Sequence, residues 1–189
     1  MNIDPQQLQE FVHESNRIEG IPAKSGMYHD IHLAAAKAVM NEPKDYLSDT
    51  RRIHQLLEKT FDLGTIAGEY RVDSASCGYR NMPDSQMIQT LMQRFHREAI
   101  LITSGDESYT HVECIRLAWQ LHNQFVCIHP FSDGNGRVAR LILNAFCVLY
   151  DHPLVIVRDS GRTQYFEEIR RYEDKYFLPH LAKQHDPSN

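Results

Sequence analysis

Apolar residues recur at helical spacing over most of the chain, with one stretch where that pattern stops. Helices are predicted over residues 4–20, 29–40, 48–61, 85–102, 108–126, 138–149 and 163–176. Residues 64–83 lack the pattern and are rich in Ser, Gly, Tyr and Val, which predicts a short hairpin or an extended loop. A second short extended piece is predicted at 154–157. With no internal repeat and no linker, the pattern predicts one mainly helical, all-α domain over residues 1–189 with a small β element.

The first helix carries signals for both of its ends. Asp4 suits the N-cap, Pro5 the first helical position, and Gln7 the return hydrogen bond of a capping box. Gly20 suits the left-handed residue that ends a helix, and Pro22 follows it. Both ends of the helix are therefore predicted from local residues.

Glu19 falls on the apolar face of this first helix. At 100° per residue it shares one face with the apolar residues Leu8, Phe11, Val12 and Ile18. Burying an unpaired carboxylate is costly, so its position predicts a cationic partner elsewhere in the chain.

Length, charge and cysteine content narrow the class of protein. The 189 residues are 42% hydrophobic, enough for one core, and the net charge of −5 argues against a non-specific nucleic-acid binder. The four cysteines have no C-x-x-C spacing, and Cys114 and Cys147 lie in apolar segments, which favours buried free thiols and a reducing compartment. The polar residues 1–10 do not resemble a signal peptide, and no apolar run approaches the ~20 residues of a membrane span. We expect a cytoplasmic protein that has neither a membrane nor a nucleic-acid partner. Secretion by a route that needs no cleaved signal stays open.

The stretch HPFSDGNGR, residues 129–137, has the composition of an anion-binding loop. Gly134, Asn135 and Gly136 open directly onto a helix, so their backbone N–H groups can converge on an anion at its positive end. Arg137 and Arg140 follow on one side of that helix as a fork for a polyphosphate.

Two further side chains of this loop suggest chemistry on a phosphate. Asp133 would repel a phosphate unless it holds a hard divalent cation such as Mg²⁺. His129, held by Pro130, is the candidate general base. The G-x-x-x-x-G-K-[ST] order of a P-loop is absent. A zinc site is not indicated either, with His29 and His32 the nearest to an exception.

The segment HPFSDGNGRVAR, residues 129–140, resembles the Fic family signature H-P-F-x-[DE]-G-N-G-R-x-x-R at every defined position. The family fold is a helical bundle with a β-hairpin flap, and the resemblance covers residues 50–176 as the core. It implies an enzyme that transfers AMP from ATP to a Tyr, Ser or Thr hydroxyl of a target protein and releases pyrophosphate.

The resemblance also implies roles for individual residues. His129 would take the proton of the target hydroxyl, and Asp133 would coordinate Mg²⁺, or Mn²⁺, on the ATP phosphates. Gly134, Asn135 and Gly136, whose converging N–H groups are called the nest below, would bind those phosphates. The two arginines, Arg137 and Arg140, would bind them as well. The flap, residues 69–80, would dock the target as an added strand. Tyr165 lies where relatives often have a tyrosine near the nucleotide.

The residues S-x-x-x-E-G, Ser15 to Gly20, resemble the inhibitory motif [ST]-x-x-x-E-[GN] of the same family. The resemblance implies that residues 4–20 form an inhibitory helix, that Glu19 pairs with Arg140 and prevents productive ATP binding, and that Ser15 and Gly20 support that helix.

Other functions stay open at this point. Glu19 could orient a water in the reverse, de-AMPylating reaction, and the same fold could support another nucleotidyl or phosphocholine transfer. A nucleotide-binding regulatory module without turnover is the alternative from a different class, and homo-oligomer formation is also left open.

Overall fold

The computed structural model describes residues 3–22, 26–61, 64–77, 80–104, 109–179 and 181. These ranges contain eight α-helices: α1 (Pro5–Ile18), α2 (Gly26–Asn41), α3 (Pro43–Ser48), α4 (Thr50–Leu56), α5 (Ser85–Ser104), α6 (His111–Ile128), α7 (Asn135–Leu149) and α8 (Arg162–Tyr172). Two 3₁₀ turns, Glu58–Thr60 and Asp159–Gly161, and a π-helical turn, Glu173–Phe177, join or extend them. The all-α fold class is confirmed.

Helix α7 lies at the centre of the bundle. It packs against α6, α3, α2, α4 and α1, and its side chains are buried on nearly all sides. A helix that is surrounded by others in this way is expected to be apolar all round. The buried polar side chains of α7, which include Arg137 and Arg140, are the exceptions, and each must find a partner inside the protein.

The helix predicted over residues 48–61 is confirmed only in part. Within that range α4 covers Thr50–Leu56 and a 3₁₀ turn covers Glu58–Thr60, and α3, which was not predicted, precedes them. Asp49, with φ −146° and ψ 93°, separates α3 from α4, and its side chain accepts a hydrogen bond from the Arg51 N–H and so begins α4. Pro43 is the first residue of α3.

The end of α1 forms a Schellman motif around Gly20. Gly20 has φ 76°, its N–H donates to the Arg17 carbonyl, and the Ile21 N–H donates to the Asn16 carbonyl. The predicted left-handed cap is confirmed. At the other end, the Asp4 side chain accepts from the Gln6 N–H at 2.9 Å. The predicted capping box is wrong, since within the described residues Gln7 forms no side-chain hydrogen bond.

Polar contacts fasten α1 to α2 and to the segment that leads into α8. The buried His32 ring bonds to the Asn16 side chain at 2.8 Å, which joins α1 to α2. The Glu14 carboxylate accepts from the Asp159 N–H at 2.7 Å, and the Arg162 Nε donates to the Ile18 carbonyl at 2.9 Å. Both ends of the segment that leads into α8 therefore contact the last turns of α1.

The predicted β element is present but short. Ser76–Cys77 (β1) and Arg80–Asn81 (β2) pair antiparallel, with Cys77 opposite Arg80. Gly78 and Tyr79, near the end of the predicted flap, lie outside the described residues, as does Ser108, the first residue of the helix predicted over 108–126. The extended piece at 154–157 is held by Asn144, whose side chain bonds both the N–H and the carbonyl of Val155.

Cys114, Cys127 and Cys147 are buried free thiols, in agreement with the prediction for Cys114 and Cys147. None of the helices in the described ranges combines the length and the apolarity that a bilayer-spanning segment requires.

Candidate active site

The loop between α6 and α7, residues 129–137, is shaped by two left-handed residues and one amide side chain. His129 ends α6 with φ 51°, and Gly134 caps α7 with φ 76°. The buried Asn135 side chain accepts from the Phe131 N–H at 2.9 Å and donates to the Phe131 carbonyl at 2.7 Å. The Asn135 amide therefore braces the loop, which leaves only its backbone for the predicted anion nest.

Gly136 lies directly against the carboxylate of Glu19. A Cβ built at position 136 would stand 2.2 Å from the Glu19 Oε1, so a larger residue here would displace the Glu19 carboxylate. Gly136 belongs to the first turn of α7, the positive end of that helix. The Glu19 carboxylate thus lies where an anionic ligand of the nest would bind.

Four of the five N–H donors of the Arg140 side chain have acceptors in the same chain. Its Nη2 donates to the Glu19 Oε1 at 2.6 Å and to the Ser15 carbonyl at 2.9 Å, and its Nε donates to the Ser15 Oγ at 2.8 Å. Its Nη1 donates to the Tyr165 hydroxyl at 3.2 Å. Two residues of α1 therefore provide three of the four acceptors.

The premise that Glu19 is buried is wrong. Glu19 stands at the C-cap of α1, after the last helical residue, and its side chain is 33% exposed. The buried charge is Arg140, whose side chain is only 2% exposed. The helical wheel misplaced Glu19 because the chain leaves the helix one residue before it, at Ile18.

Arg137 does not share a fork with Arg140 in this state. Its Nη1 donates to the Thr60 Oγ1 at 2.6 Å, its guanidinium lies over the Phe61 ring, and its Nη2 is 3.5 Å from the Asp133 Oδ2. Burial lowers the pKa of Arg137 from its ordinary value, and the Asp133 and Glu19 carboxylates offset part of that. The Nε of Arg137 has no partner among the described residues, so one buried donor is left for a ligand.

Asp133 is the carboxylate at the mouth of the nest. Its Oδ1 accepts from the Gly134 N–H, and its side chain is 31% exposed. The described residues contain no group of three or more His, Cys, Asp or Glu side chains that could hold a metal ion. One partly exposed carboxylate fits Mg²⁺, which keeps most of its waters and binds through one or two carboxylates plus substrate phosphates.

His54 joins this loop to the segment before the flap. Its ring is stacked between Phe61 at 4.1 Å and Phe131 at 3.7 Å. Its Nδ1 accepts from the Gly68 N–H at 2.8 Å, and its Nε2 bonds to the Asp133 carbonyl at 3.2 Å. Burial lowers the pKa of His54 to about 4, so the ring is neutral with its proton on Nε2, as these two bonds require.

Tyr165 lies behind Arg140 and links it to a second buried histidine. The Tyr165 hydroxyl accepts from Arg140 and is 2.9 Å from the His122 Nε2, and the His122 Nδ1 bonds to the Asn123 side chain. Burial lowers the pKa of His122 to about 3, so this ring is neutral. Its Nε2 accepts a hydrogen bond from the Tyr165 hydroxyl. Tyr165 therefore orients Arg140 in this structure, which the sequence did not predict.

The residue pattern and the geometry agree with a family comparison. The sequence model of the Fic/DOC family matches residues 45–147, more than half of the chain and all of the loop just described. The chain belongs to the Fic/DOC family. The matched range ends before α8 and begins after α1, so both Tyr165 and Glu19 lie outside it.

Curated relatives of this Fic/DOC chain are named for one activity. It is 29% identical over 161 residues to a protein adenylyltransferase Fic of Culex quinquefasciatus, covering 84% of the chain and 29% of the relative. A protein adenylyltransferase Fic of Drosophila persimilis is 33% identical over 103 residues, with 54% and 19% covered. The chain thus spans less than a third of the length of these relatives.

Solved structures place the bundle in the same fold. A Fic domain containing signaling protein from Bacteroides thetaiotaomicron superposes with a TM-score of 0.75 at 19% identity, over 93% of this chain and 78% of that one. Fic-1 from C. elegans superposes with a TM-score of 0.72 at 23% identity, over 95% and 59%. These likenesses support the fold alone.

The sequence did not single out four residues of this site: Thr60, His54, Arg71 and His122. The contacts that bring them to the site join residues 43 to 79 positions apart: Thr60 with the Arg137 guanidinium, His54 with the Asp133 carbonyl, Arg71 with the His129 carbonyl and His122 with the Tyr165 hydroxyl. A histidine within an apolar pattern was the one local signal, and it was carried by His54, after Ile53, and by His122, after Leu121.

Proposed function

We propose that this chain is an autoinhibited protein adenylyltransferase, which transfers AMP from ATP to a Tyr, Ser or Thr hydroxyl of a target protein. One observation carries the autoinhibition: the Glu19 carboxylate rests on both Arg140 and Gly136, in the anion position at the start of α7. The names of the curated relatives support the reaction class.

In the proposed reaction the target hydroxyl attacks the α-phosphorus of ATP in line. The new bond joins the hydroxyl oxygen to that phosphorus, the bond to the β-phosphate oxygen breaks, and pyrophosphate leaves. His129 takes the hydroxyl proton. Nucleotidyl transfer of this kind depends chiefly on positioning and charge neutralisation.

The residues of α7 supply that charge neutralisation. The N–H groups of Asn135 and Gly136 receive phosphate oxygens, Arg137 offers its unpartnered Nε, and Arg140 exchanges Glu19 for the γ-phosphate. Asp133 would hold Mg²⁺, or Mn²⁺, which neutralises the phosphate charge when ATP is bound.

The flap, residues 69–80, docks the target. The two-residue β1–β2 pair is a short antiparallel ladder, and among the described residues no further strand lies beside it, which leaves an outer edge for an added strand. Backbone pairing there gives affinity with little dependence on the target side chains.

ATP labelled at different phosphates tests the reaction class. Glu19→Gly protein should incorporate label from α-³²P-ATP and none from γ-³²P-ATP, into itself or into proteins of a lysate. Incorporation from γ-³²P-ATP would make the protein a kinase. Release of AMP from a modified protein by the wild type, without any incorporation by Glu19→Gly, would support the reverse reaction. ATP binding with no label transferred in any form would make it a regulatory module.

His129→Ala in the Glu19→Gly background tests the general base. We expect labelling to fall about 10²-fold or more, the usual scale for a lost base, while ATP affinity is kept. Full labelling by this double variant would exclude His129 as the base.

A further inference from the structure

Arg71 is a buried arginine at the start of the flap, and its partners among the described residues are backbone carbonyls. Its Nε donates to the His129 carbonyl at 2.8 Å, its Nη1 to the Asp73 carbonyl at 2.8 Å and its Nη2 to the Pro83 carbonyl at 2.6 Å. Its own N–H donates to the Pro130 carbonyl at 2.9 Å. One residue thus joins the chain entering the flap, the chain leaving it, and the loop of the candidate base.

Burying a guanidinium without a neighbouring carboxylate has a desolvation cost that no ion pair offsets. Arg71 is 4% exposed, and within the described part of the chain no acidic group forms an ion pair with it. Burial lowers the pKa of Arg71 from its ordinary value, and the more distant charge of Asp84 only partly offsets this. An apolar side chain of similar size would avoid the desolvation cost. The fixed fork of an arginine, which reaches three carbonyls at once, is the property that no other residue supplies.

His129 needs such support because of its backbone. It is a non-glycine residue with φ 51°, a strained conformation that persists only where neighbouring contacts enforce it. Its carbonyl comes directly after α6, where helix carbonyls lose their own partners. The Arg71 Nε satisfies that carbonyl, and the Arg71 N–H fixes the next one, at Pro130.

We propose that Arg71 is the positioning residue that holds His129 in register with the flap. The inference rests on the proposed function, in which His129 is the base and the flap docks the target. Arg71 then holds both the flap, on which the target strand docks, and His129, the base that acts on the target hydroxyl. Arg71 touches neither substrate, and it acts through the His129 backbone.

The test compares two replacements in the Glu19→Gly background. Arg71→Lys keeps the charge and loses the fork, and Arg71→Met keeps the stem and loses every side-chain donor. We expect kcat for labelling to fall about 10-fold or more in both, the scale of a misplaced reacting group, with ATP affinity within about 2-fold. Arg171→Lys, at an exposed arginine of α8 that pairs with the local Glu168, is the matched control and should keep its activity.

A second comparison separates positioning from general support of the fold. In the His129→Ala background, Arg71→Lys should not lower the residual labelling further, because the base through which Arg71 acts is gone. The same 10-fold loss there would overturn the inference. Unchanged kcat in Arg71→Lys and Arg71→Met, or loss of ATP binding in both, would overturn it as well. Absence of labelling by Glu19→Gly itself would instead count against the proposed function.

Discussion

The Glu19 carboxylate and the Arg140 guanidinium meet at 2.6 Å across 121 residues of sequence, and the two partners differ sharply in burial. Arg140 is held in the core by Ser15 and Tyr165, whereas one third of the Glu19 side chain faces solvent. A carboxylate with access to water can leave at modest cost, while the arginine cannot follow it. The pair is therefore suited to exchange, with a phosphate replacing the carboxylate.

Ser15→Ala should weaken the hold of α1 on Arg140. The Ser15 Oγ is the acceptor for the buried Arg140 Nε, and leaving such a donor unsatisfied costs about 1–3 kcal/mol. We expect a lower melting temperature and a several-fold rise in self-labelling, smaller than that of Glu19→Gly because the carboxylate remains. Ser48→Ala, whose exposed hydroxyl bonds only the local Asp45 carbonyl, is the control. Self-labelling at the wild-type level in Ser15→Ala would show that the hydroxyl does not hold the inhibitory helix.

Asp133→Asn should raise the concentration of Mg²⁺ needed for labelling. The asparagine oxygen can still accept from the Gly134 N–H, so the loop is kept while the negative charge is lost. In the Glu19→Gly background we expect the half-saturating Mg²⁺ concentration to rise about 10-fold, as for a lost metal ligand. A Mg²⁺ titration curve that coincides with that of Glu19→Gly would remove Asp133 from the metal site.

Acid should destabilise the fold through His122. Burial lowers the pKa of His122 to about 3 in the folded protein, whereas the ordinary value is 6.5. Between these values the unfolded chain binds a proton that the folded chain does not. The contribution of His122 to the free energy of unfolding is therefore fully present above about pH 6.5. It falls by roughly 1.4 kcal/mol per pH unit below that value.

Urea unfolding at pH 7 and pH 5.5 measures this dependence on pH. His122→Gln removes the titrating group, so the free energy of unfolding should fall by roughly 1.4 kcal/mol less per pH unit than in the wild type. An equally steep fall in His122→Gln would assign the acid sensitivity to other buried histidines, such as His54, whose pKa is about 4.

The sequence predicted best where the signal is local. The start and end of α1, the helix after Gly134 and the glycine-rich loop all depend on residues within a few positions of each other. The break after Leu56 was missed because Ile53, Leu57 and Phe61 keep helical spacing across it, where the backbone changes to a 3₁₀ turn.

The inner contacts of the site could not be predicted in the same way. The pattern placed Arg137 and Arg140 on one face, but their partners, Thr60 and Ser15, are 77 and 125 residues away. The partner of Glu19 came from the family resemblance, while the burial argument that first marked Glu19 was wrong. Burial of a helix end depends on where the chain leaves the helix, which a wheel does not represent.

Self-labelling with α-³²P-ATP by wild type and Glu19→Gly tests the central claim most directly. If the Glu19 carboxylate blocks the nest, the initial rate of labelling should be about 10-fold or more higher in Glu19→Gly than in wild type. A 10-fold change corresponds to ~1.4 kcal/mol of competition between the carboxylate and ATP. Glu42→Gly, at an exposed glutamate that also caps a helix, should label at the wild-type rate. Equal rates in wild type and Glu19→Gly, with both proteins folded and binding ATP, would contradict the account.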